Sequence, residues 1–206
     1  MLTFLKSLTK MQILAIVLVV VGLGLVVFFG MRSVRSFREM QYIRDQGLDM
    51  GTADVEAIRP WMPVQFVAVA YGVPQEYLFA ELGIPFDQRN SRDTLFNLNR
   101  KYDFGRPSER GQEPPILDKV REAIIQYQAN PVATGLKEDV RPWMSIRYIA
   151  NSTGIPEAYI FQQLGIPVDG NEGKPLDRLD DEFKFGGRRE IVEAVKQVLA
   201  QYGGDQ

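Results

Sequence analysis

The sequence predicts an all-α protein in which one N-terminal transmembrane helix is followed by two tandem small helical repeat domains of helix-turn-helix-like form. Three observations carry that prediction. Met11 to Met31 is a run of 21 residues without a single charge. Residues 59–85 return as residues 141–167 at a constant offset of 82. Pro and Gly stand at the places where short helices begin and stop in both stretches.

The apolar run comes first in the chain. At about 1.5 Å of rise per residue, 21 helical residues cross a hydrocarbon core of roughly 30 Å. A cleaved secretory signal is the competing reading, because Lys6 and Lys10 supply a basic start. The run is too long for that, and Phe28-Phe29-Gly30-Met31-Arg32 offers no small-residue cleavage site, so an uncleaved anchor in the cell membrane is expected. Arg32, Arg35, Arg38 and Arg44 follow the span and outnumber the lysines before it, which points to cytoplasmic domains on the C-terminal side. With no Gly or Pro between Arg32 and Gly47, the helix is expected to continue past the bilayer, placing Arg32, Arg35 and Arg38 either among lipid headgroups or on a solvated spacer. Gly47 to Thr52 reads as a hinge.

The repeat is built from turn and core residues. Each copy opens Arg-Pro-Trp-Met, at Arg59 and Arg141, in a non-helical lead-in, since proline pushes the residue before it toward extended backbone. A short helix is expected at Val64 to Tyr71 and at Ile146 to Thr153, N-capped by Ser145 in the second copy and edged by Pro63 in the first. Gly72 and Gly154 end it, Pro74 and Pro156 start the next helix, and Gly83 and Gly165 stop that one. Downstream, residues 94–105 match residues 175–186 after a one-residue slip, with Leu95, Leu98 and Tyr102 on one face. The last helix of the first copy, Ile116 to Gln128, carries an apolar stripe mirrored by Ile191, Val192, Val195, Leu199 and Tyr202. A polar loop at residues 106–115 belongs to the first copy alone. The expected boundaries are 1–31 for the tail and span, 32–53 for the juxtamembrane helix and hinge, and 54–128 for the first repeat. Residues 129–137 form a linker, 138–202 the second repeat and 203–206 a tail.

The order Met, apolar helix, Ala-x3-Gly-x-Pro, Tyr, Leu-Gly-Ile-Pro, Leu-x2-Leu and a final aliphatic helix resembles a short helical repeat of unknown function. That repeat is appended to bacterial membrane electron-transport proteins. The family usually has Met-Thr-Leu where this chain has Met62-Pro63-Val64 and Met144-Ser145-Ile146, and the Arg-Pro-Trp lead-in is not typical of it. The resemblance covers most of residues 54–202. It implies an accessory subunit of an energy-transducing membrane complex, without the haem-carrying helices of such relatives.

Composition narrows the chemistry. Cys and His are both absent, which removes disulfides, thiol nucleophiles, imidazole bases and the usual zinc ligands. No catalytic, cofactor-binding or metal-ligating residue can be named, and no cofactor is expected. The cluster Asp177, Asp180, Asp181 and Glu182 reads as a solvated helix face. With 24 basic against 26 acidic residues the net charge is -2, so nucleic acid gains no general attraction. A membrane-anchored helix-turn-helix DNA reader is the alternative, carried by Ala68, Gly72 and Leu78 and by Ala150, Gly154 and Ile160 at the spacing of that motif's tight turn. Its recognition helices would be residues 75–81 and 157–163, which hold no Lys or Arg to meet phosphate or guanine. The expected role is therefore a non-catalytic membrane-anchored scaffold or accessory subunit that binds the lipid bilayer and protein partners in a membrane complex. Trp61 and Trp143 read either as core anchors or as docking anchors. Tyr77 and Phe79, with Tyr159 and Phe161, flank the Leu78 and Ile160 faces, so at least one of each pair is expected at an edge where a partner can reach it.

Overall fold

The computed structural model describes residues 10–49, 51–107, 111–136 and 139–204, without the side chains of residues 10, 12, 13, 32, 35, 203 and 204. Lys6, the side chains of Lys10, Arg32 and Arg35, and the middle of the polar 106–115 loop thus lie outside the described residues. Two compact units divide the chain, Met1–Asp45 and Gln46–Gln206.

The first unit is one helix, α1 (Lys10–Asp45), of 36 residues. No proline occurs before Pro60 to interrupt it, and it stops just short of Gly47. At about 1.5 Å per residue it is roughly 54 Å long. Every side chain from Leu14 to Met31 is exposed, Val26 and Phe28 among them. A helix apolar all round satisfies its own backbone and is at home in hydrocarbon. Among the described residues there is therefore one helix long and apolar enough to span a membrane. Arg38, on its last turns, is exposed.

The second unit opens on a turn that is not a free hinge. Leu48 is buried, Thr52 N–H donates to Gly47 O at 3.2 Å, and Arg147 Nη1 reaches back to Gly51 O at 3.1 Å. An ion pair of 3.8 Å between Asp49 and Arg178 adds to this. The flexibility expected of Gly47 to Thr52 is removed by contacts from residues about a hundred positions away, which no local signal announces.

A short 3-10 helix (Val55–Ala57) leads into α2 (Val64–Tyr71), α3 (Gln75–Leu82), α4 (Gln88–Arg92), α5 (Leu95–Lys101) and α6 (Ile116–Ala129). After residues 130–145 come α7 (Ile146–Thr153), α8 (Glu157–Leu164), α9 (Leu176–Phe183) and α10 (Arg188–Gly204). Among the described residues there is no strand, only isolated antiparallel bridges at Pro63 with Thr94 and Ser145 with Pro175. The fold is all-α. The bounds of α2 and α7 are those expected from their Gly stops. Ser145 caps α7 by accepting Tyr148 N–H at 3.2 Å, whereas Pro74 and Pro156 sit one residue before α3 and α8, in the cap position.

Matching residues make matching bonds. Leu95 N–H donates to Met62 O at 2.9 Å and Leu176 N–H to Met144 O at 2.8 Å. Asn90 Nδ2 donates to Pro85 O at 2.7 Å and Asn171 Nδ2 to Pro167 O at 2.8 Å. Asn99 Oδ1 takes Ile116 N–H at the start of α6, and Asp180 Oδ1 takes Gly187 N–H just before α10. Asp180 is therefore a buried holder of a helix start and not part of a solvated face, since its partner N–H is one of the orphan donors of a helix beginning. Helix α4 was not legible: its Asp87 cap is a fair signal, but Gln-Arg-Asn-Ser-Arg has no apolar period.

The core lies between α3 and α6 and between α8 and α10, with α2 and α7 packed on each other. Leu78 and Ile160 are fully buried at its centres, as are Leu98, Ile124, Leu179 and Val195.

Candidate functional site

Six aromatic residues were candidates for meeting a partner, and the structure separates them. Phe79 and Phe161 are 1 % and 0 % exposed. They are core side chains and cannot dock a partner. The backbone closes over each of them in the same way, Ile84 N–H returning to Phe79 O at 3.0 Å and Ile166 N–H to Phe161 O at 3.1 Å. Tyr77 and Tyr159 are the half-buried members of each pair. Each stacks edge-on against the tyrosine of a closing helix, Tyr77 on Tyr127 and Tyr159 on Tyr202, both at 5.0 Å between ring centroids.

The Arg-Pro-Trp-Met turn buries its methionine. Met62 and Met144 are 0 % and 3 % exposed, and each thioether accepts the N–H of the turn's own arginine at 3.4 Å. Trp61 and Trp143 are left half-buried beside them. Trp143 stands at a junction between distant parts of the chain, edge-on to Tyr148 at 5.6 Å and beside Pro63, Phe66 and Arg92.

That junction is made by one face of α7. Tyr148 is 1 % exposed and its Oη accepts Gln75 N–H, at the first turn of α3, at 3.2 Å. Asn151 Nδ2 donates to Gly72 O at 2.5 Å, and Arg147 lies over the same glycine. Gly72 has φ +63, and a Cβ there would sit 3.0 Å from Arg147 Cγ and Cδ and 3.2 Å from Asn151 Nδ2. Both the left-handed backbone and the close approach demand glycine. Burial, and then the Glu76 charge, push the Tyr148 phenol well above its ordinary range, so it stays a neutral hydroxyl.

Sequence reasoning missed Arg147, Tyr148 and Asn151. They occupy positions where the first copy has Gln65, Phe66 and Val69. The junction is built from positions at which the two stretches differ. The first copy's trio, with Pro63, Arg92 and Trp143, instead lines a shallow groove of ≈ 350 Å³. A deeper cleft of ≈ 460 Å³ adjoins it, walled by Trp143, Met144, Tyr148 and Phe86 and floored by Gln75 and Glu76. Phe86 is 54 % exposed at its rim, tilted against Phe79.

Near the junction, Glu157 carries an uncompensated burden. Its carboxyl is pushed upward by burial, opposed by Arg147 at 3.9 Å and raised again by Glu172. A raised folded-state value means the charged form is penalised: the stabilising contribution is full below the unfolded value near 4.5 and is lost as pH rises through the folded value. Glu157→Gln is therefore expected to stabilise residues 46–206 against unfolding at pH 7, by less than about 1 kcal/mol after allowing for partial exposure. The gain over the parent should vanish in melts below pH 4.

Among the described residues no three acidic side chains converge as a metal site would require. Fold and site together define an all-helical protein with a membrane-length helix and a compact helical unit bearing an aromatic-walled junction cleft. Comparison with protein-family models, with curated proteins and with solved structures finds no match to this chain.

Proposed function

We propose that the chain is a single-pass membrane protein carrying two tandem copies of one helical module, and that it acts as a non-catalytic scaffold or accessory subunit in a membrane complex. The matched bonds at Met62 and Met144, Asn90 and Asn171, and Asn99 and Asp180 support the tandem reading. The resemblance carried by Leu-Gly-Ile-Pro and Ala-x3-Gly-x-Pro favours an electron-transport or energy-transducing complex of bacterial type, with the helical unit on the cytoplasmic side. The observation that carries the partner-binding role is Trp143, half-buried at the shared wall of two clefts where the modules meet. A rigid aromatic at a concave, partly apolar surface is the usual anchor of a protein interface.

The helix-turn-helix alternative is less well supported. The N-terminal residue of α3, Gln75, is 3 % exposed beneath Tyr148, on the turn that would have to enter a DNA groove. The test is native electrophoresis of mildly solubilised membranes. The parent chain should migrate within a larger assembly, and Trp143→Ala should release it while leaving its melting temperature within a few degrees. Release without loss of any co-migrating protein, or duplex DNA binding with a steep salt dependence, would refute the scaffold role.

A further inference from the structure

Glu76 and Gln75 are neighbours on the first turn of α3, and both line the ≈ 460 Å³ cleft. Each keeps one side-chain oxygen buried without a hydrogen-bond partner, Glu76 Oε2 and Gln75 Oε1. Gln75 is 3 % exposed. A buried acceptor left unpaired is costly, and more so when it carries charge. Two such acceptors side by side in one cleft are a request for a donor with several N–H groups.

The rest of the lining says which donor. Arg141, at the rim, is ion-paired with Asp139 at 2.5 Å. Among the described lining residues that leaves Glu76 and Arg92, since Asp87 is held at the α4 cap by the N–H groups of Arg89 and Asn90; the unpaired Glu76 oxygen is what favours a cation. Trp143 and Phe86 supply apolar walls and aromatic faces suited to a methylene stem that ends in a positive head. A lysine ammonium offers three donors and an arginine guanidinium five, with no acceptor to conflict with the two oxygens.

We infer that the junction cleft binds a lysine or arginine side chain of the partner, its stem against Trp143 and its charged head on Glu76 and Gln75. This rests on the partner-binding role proposed above and specifies its chemistry. The test uses the full chain in detergent micelles with Trp61→Phe, so that Trp143 alone reports by fluorescence. The probes are the capped peptides acetyl-Gly-Lys-Gly-amide and acetyl-Gly-Arg-Gly-amide, their norleucine counterpart, and free agmatine. The cationic peptides are expected to bind at least about 10-fold more tightly than the norleucine peptide, and Glu76→Gln to abolish most of that preference. Unchanged circular dichroism and melting temperature establish that the variant is folded. Equal binding of the norleucine peptide, or cation binding indifferent to Glu76→Gln, overturns the inference. Tighter binding of agmatine than of either peptide overturns the assignment to a partner side chain. If Trp143→Ala still releases the chain from its assembly while the cation preference is absent, this inference fails alone. If Trp143→Ala leaves the assembly intact, the partner role fails as well.

Discussion

Deleting residues 1–45 is expected to move the protein from the membrane pellet to the soluble fraction entirely, while the parent chain resists extraction by alkaline carbonate. The reason is the side chains of α1 from Leu14 to Met31, all of them exposed. Burying a large aliphatic or aromatic side chain contributes about 1.5–3 kcal/mol, so 21 uncharged residues far exceed what any headgroup contact from Arg38 adds. Gln46–Gln206 forms its own compact unit and should retain helical circular dichroism and a cooperative melt after the cut. Peripheral release of the full chain by carbonate would rule out the span.

Tyr148→Ala should cost residues 46–206 about 3–5 kcal/mol in urea unfolding, the range for emptying a fully buried aromatic site. At 1 % exposure, flanked by Trp143 and capped on Gln75, this ring has little room to be replaced by relaxation of its surroundings. Tyr148→Phe keeps the volume and removes only the oxygen. Gln75 N–H then loses its acceptor, and a loss of about 1–3 kcal/mol is expected. Because Tyr148 joins α7 to the first turn of α3, amides of α3 and of α7 should lose hydrogen-exchange protection together in the alanine variant. The outcome that would contradict the junction is protection lost in α7 alone.

The helix ends of residues 54–202 were legible because they are written in single residues. Gly72, Gly83, Gly154 and Gly165 all adopt left-handed backbone, and α2, α3, α7 and α8 stop at them. The periodic faces of α5, α6 and α10 were equally legible, since burial of Leu98, Ile124 and Val195 follows from spacing alone. Phe79 and Phe161 were misplaced because a helix of eight residues has too few turns to separate a core face from an edge by pattern. Asp180 was misplaced for a related reason: its role as acceptor for Gly187 requires a loop to bring the chain back over α9.

What the sequence determined by itself is a membrane-length apolar helix, the all-α class, and where α2, α3, α7 and α8 stop. Those properties are set within a few residues, by hydropathy over a span and by the dihedral limits of Pro and Gly. Only the tertiary structure decided that Arg147, Tyr148 and Asn151 grip Gly51, Gly72 and Gln75, and that Trp143 stands beside a cleft. Such contacts join residues about 75 to 95 positions apart through side chains at positions where the two stretches differ, so neither local propensity nor internal repetition encodes them.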